Sequence, residues 1–286
     1  MNLIKYFIQF IIIIIFFLIF KILGLRIASN ISSKVVSLIG PFFRSREIIK
    51  KNLYKAMPDL DQKNMKKIIY EMWKNYGRIL SEYIFIKDFR NSNLENNIQI
   101  VGQDILKKIK ENDEPVIFVS GHFNNFELMA MHIEKSGINL ATIYRPLNNK
   151  FLNLVMERIR KKYICKNQIK KGISGTKQIL SFFKKGSSVA LMIDQRVSQG
   201  IKCNFFNHEA FTTTIPAQFV KKFNCKIVPI YIERLKNVSF KLTVYEPIKY
   251  SDDDSIESIT LNLNIMLEKM ILKNPGQWIW SHNRWK

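Results

Sequence analysis

The chain has 286 residues, 47% hydrophobic and 24% charged, which suits a globular protein with one substantial α/β domain and an appendage. Forty-five Lys and Arg against 23 Asp and Glu give a formal charge of +22, so an anionic partner is expected: membrane phospholipid, nucleic acid or an acidic carrier. A compositional drift toward Lys, Ile, Asn and Phe is the alternative source of that charge. The three cysteines, Cys165, Cys203 and Cys225, are odd in number, widely spaced and without a Cys-x-x-Cys pair, so they suggest neither a disulfide framework nor a zinc site.

Residues 6–20 form an uncharged run of about 15 residues centred on IIIIIFF, flanked by Lys5 and Lys21. At 1.5 Å per residue the run spans about 22 Å, short of the roughly 30 Å hydrocarbon layer. Ile22, Leu23 and Leu25 extend it, and snorkelling lysines close the gap. Residues 1–26 are therefore expected to be a retained single-pass anchor. A cleaved signal fits less well, because Ala28-Ser29-Asn30 is a poor cleavage site and the cations stand on the wrong side of the apolar core. Lys21, Arg26, Lys34, Arg44, Arg46, Lys50 and Lys51 follow the anchor with only Glu47 opposing them, so the body of the chain is expected on the cytoplasmic side.

Residues 27–90 read as a helical lead-in and 91–286 as an α/β core, the two making one domain. A basic amphipathic helix over 44–56 stops at Met57-Pro58. Asp59 or Asp61 then caps a longer helix carrying Met65, Ile68, Met72, Trp73, Tyr76, Ile79 and Leu80 at helical spacing, a stripe most simply read as core. From Ile98 strands and helices alternate. Strands are predicted at 98–101, 116–119, 140–144, 189–193, 227–232 and 240–245. Helices are predicted at 103–111, 126–135, 149–163, 176–184, 217–223 and 256–272. The pattern is that of a mostly parallel or mixed sheet with helices on its faces.

Polar residues gather at the strand ends. Ser120-Gly121-His122 follows one strand, Arg145-Pro146 a second and Asp194-Gln195-Arg196 a third, which places His, Arg and Asp around one crevice at the carboxyl edge of the sheet. The most informative stretch is Gly121-His122-Phe123-Asn124-Asn125-Phe126-Glu127. His122 falls in the strand-to-helix turn and Glu127 in the first helical turn, where the helix dipole favours a carboxylate. Histidine is matched to proton transfer near neutral pH, and an adjacent carboxylate can fix its tautomer. Taken alone, the same pair could cap a helix or satisfy a loop. No Gly-x-Ser-x-Gly elbow occurs and no cysteine lies near the pair, so a hydroxyl on the substrate is the expected nucleophile.

These pieces, in order, resemble the late acyltransferases of lipid A biosynthesis, the lauroyl and myristoyl transferase family within the glycerolipid acyltransferase superfamily. Gly121 to Glu127 resembles the superfamily's His-x4-acid motif. Tyr144-Arg145-Pro146-Leu147-Asn148-Asn149 resembles a second block, followed by the basic pair of Arg158-Ile159-Arg160 and the Asp194-Gln195 block. Phe205-Phe206 with Phe211-Thr212-Thr213-Thr214, then Ile227-Val228-Pro229 and the tail Trp278 to Lys286, complete the resemblance. Asn207-His208-Glu209 and Asn283 depart from residues common in the family.

The resemblance implies transfer of a fatty acyl group from an acyl carrier protein thioester to a hydroxyl of a lipid A precursor at the cytoplasmic face of an inner membrane. Under it, His122 is the general base and Glu127 holds the ring and offsets its charge. Asn124, Arg145, Arg158 and Asp194 are the candidate substrate-binding residues. The backbone amides after Asn124 are candidates for the oxyanion, and Arg145, Arg158 and Arg160 for phosphates. Asp194 has a structural alternative, orienting a loop or pairing with an arginine. His132, His208 and His282 read as packing or surface histidines. Trp278, Trp280 and Trp285 fit either the bilayer interface or the core. No metal or cofactor is needed, and no nucleic-acid fold signature is present. A membrane-bound hydrolase and a non-catalytic basic binding protein are the competing classes.

Overall fold

A computed structural model describes residues 2–286. Two helices open the chain, α1 (Asn2–Leu23) and α2 (Leu25–Ile39), broken at Gly24, whose φ of +78° lies in the region that favours glycine. After α3 (Arg46–Ala56) comes α4 (Gln62–Glu82), N-capped by the Asp61 carboxylate accepting from the Asn64 amide. The core continues with α5 (Ile86–Asn91), β1 (Ile98–Val101), α6 (Gln103–Asn112), β2 (Ile117–Ser120), α7 (Glu127–Lys135) and β3 (Leu140–Tyr144). Next are α8 (Lys150–Ile159), a π-helical turn (Arg160–Ile164), β4 (Asn167–Lys170), α9 (Ile173–Lys184) and β5 (Ser188–Met192). The chain closes with β6 (Ile201–Phe205), β7 (His208–Thr212), α10 (Ile215–Phe223), β8 (Ile227–Lys236), β9 (Ser239–Val244) and α11 (Ile256–Lys273).

Seven strands form one sheet in the order β1-β9-β8-β2-β5-β3-β4, parallel except between β8 and β9. The expected α/β architecture is present. The central strand β2 is apolar on both faces, Ile117, Phe118 and Val119 all being fully buried, as a parallel strand covered by helices on both sides must be. Two features were absent from the sequence reading. β4 is an edge strand, Asn-Gln-Ile-Lys, with too few apolar residues to show a period. The hairpin β6–β7 turns through Phe206 and Asn207, both at positive φ, and a Phe-Asn turn lacks the glycine by which such hairpins are recognised.

The lead-in is packed onto the core. The inward face of α2 (Ala28, Ser29, Ser32, Ser33) is buried against α4, and close approach depends on Gly77. A Cβ at Gly77 would stand 2.2 Å from the Ser32 carbonyl oxygen, which itself lies opposite the 2.6 Å hydrogen bond from Ser32 Oγ to the Gly77 carbonyl. Gly77→Ala is therefore expected to lower stability by about 1–3 kcal/mol through forced separation of the two helices, although alanine is the better helix former. A thermal melt equal to that of the parent chain would show that the seam yields without cost.

Candidate active site

The sheet register assembles the site. Ser120 at the end of β2 pairs with Met192 at the end of the neighbouring parallel strand β5, so His122 and Asp194, each two residues further on, leave the sheet side by side. His122 Nδ1 lies 2.8 Å from Asp194 Oδ1, and the His122 backbone N–H donates to Asp194 Oδ2 at 2.8 Å. Trp278 Nε1–H donates to the same Oδ2 at 2.8 Å. Asp194 is 1% exposed, whereas the His122 side chain remains 21% exposed, so the ring is gripped from inside and open toward its other edge. With Nδ1–H committed to the carboxylate, Nε2 is the bare acceptor nitrogen. The Phe126 ring stands edge-on to the imidazole, 4.9 Å between centroids.

Electrostatics follow the geometry. Burial opposes a charge on His122, but the Asp194 charge and hydrogen bond outweigh it and hold the ring's pKa above the ordinary histidine value. Burial likewise opposes ionisation of Asp194, yet the His122 charge, its two hydrogen bonds and the Trp278 donor hold that carboxyl down at about 2.

The carboxylate on the ring is thus Asp194, and the expectation that Glu127 holds it is corrected. Glu127 begins α7 and is bonded to another group, its Oε1 accepting from Arg160 Nε at 2.8 Å and from Arg160 Nη2 at 2.6 Å, while its charge still helps to raise the His122 pKa. Both partners are nearly buried, at 11% and 13% side-chain exposure. Arg160 lies between the rings of Tyr83 and Tyr144, 6.0 and 5.5 Å from their centroids, and its Nη1 has no partner among the described residues. Of the three arginines considered from sequence, Arg160 is the one built into the site. Arg145, just past β3, and Arg158, on α8, are exposed.

Asn124 is engaged within the protein through its side chain. It is fully buried at φ +45°, its Oδ1 accepts from Arg234 Nε at 3.1 Å, and its Nδ2 donates to Gln277 Oε1. Its backbone N–H is also taken, by the Gln277 carbonyl at 3.1 Å. With the N–H groups of His122, Phe123, Leu128 and Met129 occupied as well, the backbone donors left for an oxyanion are those of Asn125, Phe126 and Glu127.

Behind the turn stands a buried ion pair that sequence reading missed. Glu82, at the end of α4, accepts from Arg234 Nη1 at 2.6 Å and Nη2 at 2.9 Å, with Ser29 Oγ and Asn125 Nδ2 also donating to it. The Glu82 and Arg234 side chains are 0% and 8% exposed. The pair links α4 to β8 and, through Asn124 and Asn125, fixes the loop that presents His122. A signal existed, since Glu82 continues the spacing Ile68, Met72, Ile79 and so places an acid on the apolar stripe.

The tail closes the site from the far side. Trp278 and Trp280 are buried, and Arg284 is buried with hydrogen bonds to the Phe211 carbonyl and Thr212 Oγ1, both at 2.7 Å. Trp285 Nε1 donates to the Phe205 carbonyl at 3.1 Å. Trp278 and Trp280 therefore belong to the core, and Trp285 is half-buried against it. His132 is buried on α7, and His282 Nε2 accepts from the Arg196 amide at 3.1 Å.

The model of the bacterial lipid A biosynthesis acyltransferases matches residues 1–286. The chain belongs to that family. The palmitoleoyltransferase of lipid A biosynthesis from Escherichia coli K12 is 24% identical over 261 residues, covering 90% of this chain and 84% of that protein. The corresponding lauroyltransferase of the same strain is 21% identical over 252 residues (85% and 79%). A lipid A biosynthesis acyltransferase of Haemophilus influenzae is 23% identical over 249 residues (85% and 78%). Membership makes this chain an acyltransferase of lipid A biosynthesis.

Proposed function

We propose that the chain transfers a fatty acyl group from an acyl carrier protein thioester to a hydroxyl of a lipid A precursor, with His122 as the general base, at the cytoplasmic face of the inner membrane. The observation that carries this reading is an imidazole whose Nδ1 is held 2.8 Å from a buried carboxylate while its other edge is open. Nε2 takes the proton of the acceptor hydroxyl as its oxygen bonds to the thioester carbonyl carbon. The tetrahedral oxyanion then collapses, the carbon–sulfur bond breaks, and the proton passes from the imidazolium to the departing thiolate. Asp194 fixes the tautomer and offsets the imidazolium charge. Glu127 acts through Arg160, holding that guanidinium beside the site with a donor to spare, and Asn124 positions the loop. The exposed Arg145 and Arg158 suit the phosphates of an anionic acceptor or of a carrier's prosthetic arm. The positive flank after α1 supports the cytoplasmic orientation.

Purified chain incubated with a defined acyl carrier protein thioester and an underacylated lipid A precursor is expected to yield a lipid heavier by one acyl group in the mass spectrum. Release of free fatty acid with the precursor unchanged would instead mark a hydrolase, and acylation of a glycerophospholipid in its place would mark a different acceptor.

A further inference from the structure

Both ends of α1 are bound to the rest of the chain. Near its start the Tyr6 carbonyl accepts a 2.8 Å hydrogen bond from Asn149 Nδ2, and the Phe7 and Phe10 rings lie 5.5 and 5.8 Å from the Phe151 ring. Near its end Lys21 pairs with Asp88 and sits 4.7 Å from the centroid of Phe85. Between these points Tyr6, Phe10, Ile13, Ile14, Phe17 and Phe20 are half-buried, a spacing that draws one stripe along an α-helix. Residues 6 to 21 span about 22 Å, and the helix lies lengthwise on the domain for that whole distance.

The opposite face is bare and apolar. Ile8, Ile11, Ile12, Ile15, Leu18 and Ile22 are 40–85% exposed. Beyond the Gly24 break the bare face continues on α2 through Ile27, Ile31, Val35 and Leu38, and then to Phe42 and Phe43, which are 77% and 75% exposed. Arg26, Lys34, Arg44 and Arg46 accompany it, and the first acid after α1 is Glu47. A continuous apolar face of this size, edged by cations, fits an anionic lipid surface.

We propose that α1 lies in the plane of one leaflet, sandwiched between the domain and the acyl chains, and that α2 docks beside it, so that the chain is attached to one side of the membrane without crossing it. This differs from the single-pass anchor expected from hydropathy. A crossing helix would carry residues 6–10 to the far side, and these are bonded to the start of α8, a helix on which Lys150 at one end and Arg158 at the other are exposed. The domain would have to follow them into hydrocarbon, against the cost of charge and loop backbone there. By length and composition alone α1 could cross, so it is these contacts that set its course. An in-plane α1 holds Arg145 and the exposed edge of His122 near headgroup depth, where a lipid hydroxyl resides. The proposal rests on the membrane attachment put forward above and is independent of the acyl-transfer chemistry.

Single cysteines at Lys5 and at Lys34 test it, because the three native thiols are buried. A membrane-impermeant maleimide is applied to full-length chain in sealed inside-out vesicles and in intact spheroplasts. Both K5C and K34C are expected to be labelled from the cytoplasmic side and neither from outside. Labelling of K5C from outside alone would overturn the proposal, as would recovery of the parent chain in the soluble fraction after cell breakage. For the α2 face, I31E/L38E is expected to be stripped from vesicles by alkaline carbonate roughly threefold more than the parent. Unchanged extraction would remove α2 from the docking surface.

Discussion

Replacing Asp194 with asparagine is expected to slow acyl transfer by about 10²–10⁴-fold while leaving the fold intact, because the amide keeps the shape of the carboxylate but loses its charge and permits the wrong imidazole tautomer. The pH dependence carries a sign as well. A base works in its neutral form, so the parent rate rises with pH through the His122 pKa, which Asp194 holds above the ordinary histidine value. With the charge removed, burial becomes the dominant influence and lowers that pKa. The acid limb of the rate profile is therefore expected to move to lower pH in D194N while the plateau falls. A profile that keeps its midpoint and its height would mean that Asp194 neither orients nor charges the base.

The second large effect is on stability. Glu82 and Arg234 form a bidentate pair from which water is excluded, and removing one member leaves the other charged and buried. Glu82→Gln or Arg234→Met alone is expected to cost about 3–5 kcal/mol. The double variant E82Q/R234M is expected to recover a good part of that loss, since no uncompensated charge remains, and the thermal melts of the three variants form a double-mutant cycle. Additive losses would show that the pair is not coupled. The same variants report on the site, because Arg234 also holds Asn124: the double variant is expected to fold yet turn over more slowly, its His122 loop being less firmly placed.

Much of this was readable from the residues. The buried strand before Gly121, the turn holding His122, the Asp61-capped helix and the alternation after Ile98 are local patterns, and each forms as propensity and period require. That Asp194 and not Glu127 bonds the His122 ring was not readable, although both strand ends were placed at one crevice. Glu127 is five residues from His122 in the chain, yet its carboxylate is bonded to Arg160. Asp194 is 72 residues away and reaches the ring because β2 and β5 are neighbours with Ser120 opposite Met192. Register between strands is not encoded in either strand alone. Glu82 and Arg234, 152 positions apart, escape notice for the same reason, although an acid on an apolar stripe was a visible irregularity. Arg160 looked like one more cation in a chain of +22, and only the aromatic sandwich around it sets it apart. Hydropathy, finally, measures how long and apolar α1 is, but says nothing of what the helix lies against.

The most direct measurement is single-turnover acyl transfer from an acyl carrier protein thioester to a lipid A precursor by the parent chain and by His122→Ala, with the melting temperature of each recorded alongside. The expected result is a loss of about 10²–10⁴-fold in the rate of lipid acylation at an unchanged melting temperature. Full acylation by the His122→Ala chain would contradict the assignment of His122 as the base.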